Sequence, residues 1–247
     1  MTKGKKKETK QAKNRGLVKF SDIKGLMKIL QQPTIKIAEF LTGVLVSELK
    51  DWKLSAGRLV QSVIKGNLLT QLGREIKKYQ MKGEIKEDYL ENNINQACFK
   101  EILTFIDSET PDEIRFRAMK SIFFCSISKD TKLEDQILAY QLMQICKQLS
   151  SGEILILKAI WDMRHNRIKA GVTLNPSTTR AREWLKNIAL QIGHNLPHLV
   201  ELHERKLIEL SLITSRTYPD RSGITHGSFY RLTDLGVKLC EFITRYE

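Results

Sequence analysis

A chain of 247 residues, 41% apolar and 28% charged, can bury one large core or two modest ones, a balance that excludes a disordered chain. Its longest apolar runs, such as Ile154–Leu157, are far too short to cross a bilayer, and the basic start lacks the apolar stretch of a secretory leader. The net charge of +13 is uneven: residues 1–19 hold eight Lys or Arg against one Glu, residues 20–150 nineteen against seventeen, and residues 151–247 fourteen against ten.

These numbers suggest a basic disordered tail over 1–19, a helical domain over 20–150 and a second domain over 151–247. The tail could touch phosphates non-specifically, with an affinity that falls as salt rises, or simply keep the chain soluble. Cys98, Cys125, Cys146 and Cys240 lie far apart, and three sit within helical apolar patterns. They read as small buried hydrophobes of a reducing compartment, so the cytoplasm is the expected location.

Pro33 opens a helical pattern through Ile37, Leu41, Val44 and Leu45, and a long helix is expected over about Trp52–Met81. Another is expected over about Lys86–Ile106. Three further helices begin with capping spellings. Thr110-Pro111-Asp112-Glu113 offers a hydroxyl cap, proline at the first helical position and acids in the first turn; Thr131-Lys132-Leu133-Glu134 and Ser150-Ser151-Gly152-Glu153 repeat the logic. The run of Phe116, Met119, Ile122, Phe123 and Phe124 is read as core packing in preference to a binding stripe.

From about residue 166 the texture changes. Gly171, Asn175 and Pro176 mark a loop, and Ala181, Trp184, Leu185, Ile188 and Ile192 then fall at the spacing of one helical face, closed by Gly193. A short helix is expected over about Asn195–Lys206, strand-like segments at 207–213 and 228–232, and a closing helix capped by Thr233. Leu199-Val200-Glu201-Leu202-His203-Glu204-Arg205-Lys206-Leu207-Ile208 and Tyr230-Arg231-Leu232-Thr233-Asp234-Leu235-Gly236 resemble the corresponding stretches of winged helix–turn–helix regulators of the multiple-antibiotic-resistance type. The resemblance covers only residues 151–247, and Lys206 stands where such regulators usually carry glycine. The fold expected is thus mainly α: an N-terminal helical domain, then a C-terminal winged helix with a small β-hairpin. A helical body with such an end is similar in layout to bacterial proteins linked to abortive phage infection.

The resemblance implies that the helix after Asn195 could enter a major groove. Leu196, Leu199, Val200 and His203 would face inward, and His198, Glu201, Glu204 and Arg205 outward. The candidate nucleic-acid contacts are Arg180, Arg182 and Lys186 on the preceding helix, Asn195, His198 and Arg205 on the recognition helix, and Arg216 and Arg221 in the wing. Glu201 and Glu204 would be repelled by phosphate, so the face suits a protein partner as well as DNA. A homodimer is compatible with either.

No catalytic site, metal site or cofactor is expected. His194 and His198 lie four apart with Glu201 nearby, but without a cysteine or a clear third ligand. Asp112, Asp130 and Lys132 spell a nuclease-like pattern, yet helix capping accounts for both pieces and that chemistry needs its acids on adjacent strands. The expected function is non-enzymatic: a DNA-binding or regulatory protein or, alternatively, an interaction module in a larger assembly.

Overall fold

The computed structural model describes residues 56–107, 112–172, 181–215 and 231–246, apart from the side chains of 56–63 and 181–182. The expected basic tail, the helix after Pro33 and residues 228–230 of the expected second strand lie outside the described residues.

Eight helices form among the described residues: α1 (Ala56–Met81), α2 (Asn93–Asp107), α3 (Glu113–Ile127), α4 (Leu133–Gln148), α5 (Ser151–Arg164), α6 (Ala181–Ile192), α7 (Pro197–Glu209) and α8 (Asp234–Thr244). The protein is mainly helical. In place of strands, two isolated antiparallel bridges are seen among these residues, Ile85 with Ser128 and Ile213 with Leu232. None of the described helices is long and apolar enough to cross a membrane. The chain divides into two compact units, Met1–Arg74 and Glu75–Glu247, so the boundary expected near residue 150 falls inside the second.

Within the second unit α3 is the central element, packed against α2, α4, α5 and α8. Its run Phe116, Met119, Ile122, Phe123 and Phe124 is fully buried, as core packing requires. Phe123 lies against Tyr89 and Phe99, and Phe124 against Tyr79 and Tyr246, with centroid separations of 5.1–6.1 Å suited to aromatic pairs. α8 closes this core. The Ser121 hydroxyl donates to the Phe242 carbonyl at 2.6 Å, and the Cys240 thiol points at the Leu157 carbonyl on α5. Lys120 on α3 pairs with Glu75 at 2.6 Å. All four cysteines are free and buried; burial pushes the Cys98, Cys125 and Cys146 thiols up to about 12 and raises that of Cys240 as well, which leaves them protonated and inert at neutral pH.

Local chemistry decides where several helices start. Ser150 and Glu153 close the expected capping box of α5, and the Thr233 hydroxyl accepts the Gly236 N–H at 3.0 Å at the start of α8. Three expectations are corrected. α2 begins at Asn93 rather than near Lys86, because Asn92 Oδ1 caps the Ile94 N–H at 2.7 Å while the Asn95 and Gln96 amides bind the preceding carbonyls of Tyr89 and Leu90. The cap of α3 is Asp112, not Thr110: its carboxylate accepts from the Ile114 and Arg115 N–H groups and also from the Ser151 hydroxyl on α5. Thr131 does not cap α4; its hydroxyl donates to the Cys125 carbonyl at 2.7 Å, and Lys132 holds the cap position with no side-chain bond.

Gly236 lies where the first turn of α8 crosses the Leu212 carbonyl. A Cβ there would run into that carbonyl oxygen and lie 3.0 Å from its carbon, both backbone atoms that cannot swing aside. Gly236→Ala is therefore expected to destabilise the fold by about 1–3 kcal/mol or more, read as a lowered denaturation midpoint. A loss below about 0.5 kcal/mol would show that this crossing is not closely packed.

Candidate functional site

The sequence places its candidate site on α7, and the setting of that helix is fixed by three attachments. α6 buries Trp184, Leu185, Ile188 and Ala189, then stops at Gly193, whose φ of +94° is the left-handed conformation that glycine supplies without strain. The turn that follows brings α7 across α5 and α6. Val200 and Leu207 of α7 enter the core.

The first attachment is polar and buried. Glu204, 1% exposed, accepts the Trp184 indole N–H at 2.7 Å and the Arg231 guanidinium at 2.7 Å on the same oxygen, Oε1. The guanidinium also lies over the Trp184 ring, 5.4 Å from its centroid, and donates twice to the Thr214 carbonyl. Arg231 itself has φ +64°, an uncommon conformation for a side chain other than glycine, asparagine or aspartate. The second attachment is the backbone beside it: Thr214 N–H donates to the Arg231 carbonyl and Thr233 N–H to the Leu212 carbonyl, around the Ile213–Leu232 bridge.

The third attachment reaches α5. His203 Nδ1 lies 3.1 Å from Glu153 Oε1, and its ring covers Gly152, where a side chain would collide with it. Burial raises the Glu153 carboxyl, but the Ser150 backbone N–H, His203 and the Ser150 hydroxyl outweigh it and hold the group below the ordinary carboxylate range.

With these contacts made, the expected orientation of α7 is corrected. Glu204 faces inward, and Leu196 and Leu199 do not: they are 61% and 42% exposed, with Leu202 at 58%. The outward face of α7 carries His198, Leu199, Leu202, Arg205 and Glu209, with Lys206 at its edge reaching Glu209. Of the proposed contacts, Lys186, Asn195, His198 and Arg205 are exposed. Arg182 lies in the first turn of α6, its side chain outside the described part, and Arg180, Arg216 and Arg221 lie outside the described residues altogether. Leu202 was the face residue that sequence reasoning passed over. It sits between His198 and Leu199 on the helical wheel, four residues after His198, and that spacing was the signal for it.

The residues that spell the nuclease-like pattern, set aside above, lie among caps and turns, with Asp112 capping α3 and Asp130 exposed in the turn before α4. His194 and His198 are exposed, and no group of three potential ligands that could hold a metal ion is seen among the described residues. Charge is divided as unevenly as the contacts. Residues 75–247 carry twenty-five Lys or Arg against twenty-three Asp or Glu, a balance of +2, whereas residues 1–74 carry sixteen against five, or +11.

Compared with protein-family models, with curated proteins and with solved structures, the chain matches none of them.

Proposed function

We propose that the second unit is a non-enzymatic docking module of winged-helix type that captures a protein partner on the outer face of α7. The order α5, α6, α7, a bridge at Ile213–Leu232 and α8 supports the winged-helix reading. The observation that carries the docking reading is the exposure of Leu199 and Leu202 on one helical face, with Leu196 at its entry. Exposed leucines in a group, rimmed by His198, Arg205 and Lys206, have the composition of a binding patch. The near-neutral charge of this unit adds to it, because phosphate binding draws on a surplus of cations that residues 1–74 hold instead.

DNA binding by α7 is the second reading, favoured by the inward turn of Glu204, which takes one repulsive carboxylate away from the outer face and leaves Arg205 exposed there, with Lys186 exposed on α6. Two variants separate the readings. Leu202→Glu should abolish a cross-linked complex or a dimer seen with the wild type by sedimentation, while thermal stability holds. Arg205→Ala should leave affinity for mixed genomic DNA unchanged at two salt concentrations. A complex that survives Leu202→Glu would sink the docking reading. A fall of about 1–3 kcal/mol in DNA affinity for Arg205→Ala would establish the DNA reading in its place.

A further inference from the structure

The outer face of α7 is complementary to itself. His198, Leu202, Arg205 and Glu209 follow one another at steps of four, three and four residues, which is the spacing of a helix–helix seam. All four are exposed. Turned end for end, this ridge meets its own pattern: His198 changes places with Glu209, and Leu202 with Arg205. Among the described residues the side chains of His198 and Arg205 have no partner, and Glu209 reaches only Lys206, at 3.5 Å.

Charge fixes the direction of the pairing. Glu209 lies in the last turn of α7, where the negative end of the helix dipole disfavours an anion. An antiparallel second copy would set that carboxylate beside the partner's His198, in a first turn, where the dipole favours it. The same crossing would lay the aliphatic stem of Arg205 over the partner's Leu202 and that of Lys206 beside the partner's Leu199, so the exposed leucines leave water. A parallel pair would instead set arginine on arginine and glutamate on glutamate. We propose that the occupant of the α7 face is a second copy of this chain, docked antiparallel about a two-fold axis between Leu202 and Arg205, a proposal that rests on the docking reading. With 13 residues α7 is about 20 Å long, and a contact of that length lies at the small end of specific interfaces, so the dimer is reversible and concentration-dependent.

Sedimentation equilibrium of the full chain over a wide concentration range should show a monomer–dimer equilibrium. His198→Glu sets two carboxylates against each other at both ends of the contact, and Glu209→Lys removes the anion; each should raise the dissociation constant about tenfold or more. Mixed in equal amounts, the two variants should pair with each other about as tightly as the wild type does with itself, because each end then holds one glutamate and one basic residue. Lys186→Glu, exposed on α6, should dimerise as the wild type does. A wild type that stays monomeric throughout would overturn the proposal while leaving the α7 face to a different protein. A dimer that neither variant weakens, or a mixture that stays monomeric, would overturn the antiparallel pairing. A dimer that survives Leu202→Glu would sink this proposal and the docking reading together.

Discussion

Arg231→Ala is expected to lower the unfolding free energy by about 3–5 kcal/mol, the cost of leaving one member of a buried ion pair without its counter-charge. The guanidinium side chain is 13% exposed and the Glu204 side chain 1%, so water can do little to screen the orphaned carboxylate. The same deletion removes two bonds to the Thr214 carbonyl and the cation over Trp184, which ties the chain on either side of residues 216–230. Urea denaturation should therefore show a lower midpoint with an unchanged slope. Adding Glu204→Gln to Arg231→Ala should recover part of the loss, because the neutral amide still accepts the Trp184 N–H and no longer buries a charge. A single-mutant loss under about 1 kcal/mol would mean that Glu204 is solvated, as a surface ion pair would be.

Trp184→Ala should cost a comparable amount, about 3–5 kcal/mol, for a different reason: it opens a cavity the size of an indole under α7. Trp184 is 7% exposed, lies among Leu185 and Ile188 on the buried face of α6, and donates to Glu204. Trp184→Phe should keep much of the packing and lose the indole N–H donor, for a smaller cost of about 1–2 kcal/mol. Lys186, two positions on and exposed, should tolerate alanine within about 0.5 kcal/mol. Equal losses for Trp184→Ala and Lys186→Ala, read by the same denaturation curves, would undo the helical register of α6.

These two residues also mark where the sequence was legible. Features set within three or four residues could be read directly: the Ser150–Glu153 capping box, the Thr233 cap over Gly236, the stop at Gly193, and the buried stripe of Trp184, Leu185 and Ile188. Helix spacing and capping depend on neighbours along the chain, so a single sequence carries them. The mainly helical class and the buried phenylalanines of α3 followed from the same local rules.

Tertiary contacts decided the rest. Asp112 rather than Thr110 caps α3, with Ser151 on another helix donating to the same carboxylate. The expected strand from Leu207 became the last turn of α7, because Lys206 is not a residue that ends a helix and the chain turns only at Ser211, with φ +56°. Which side of α7 faces water was settled by partners twenty and twenty-seven residues from Glu204, Trp184 before it and Arg231 after it. A wheel drawn from hydrophobicity alone puts a glutamate outside and leucines inside. A buried tryptophan N–H and an arginine reverse that choice, because together they bond Glu204 Oε1 and balance a charge that the core would otherwise reject.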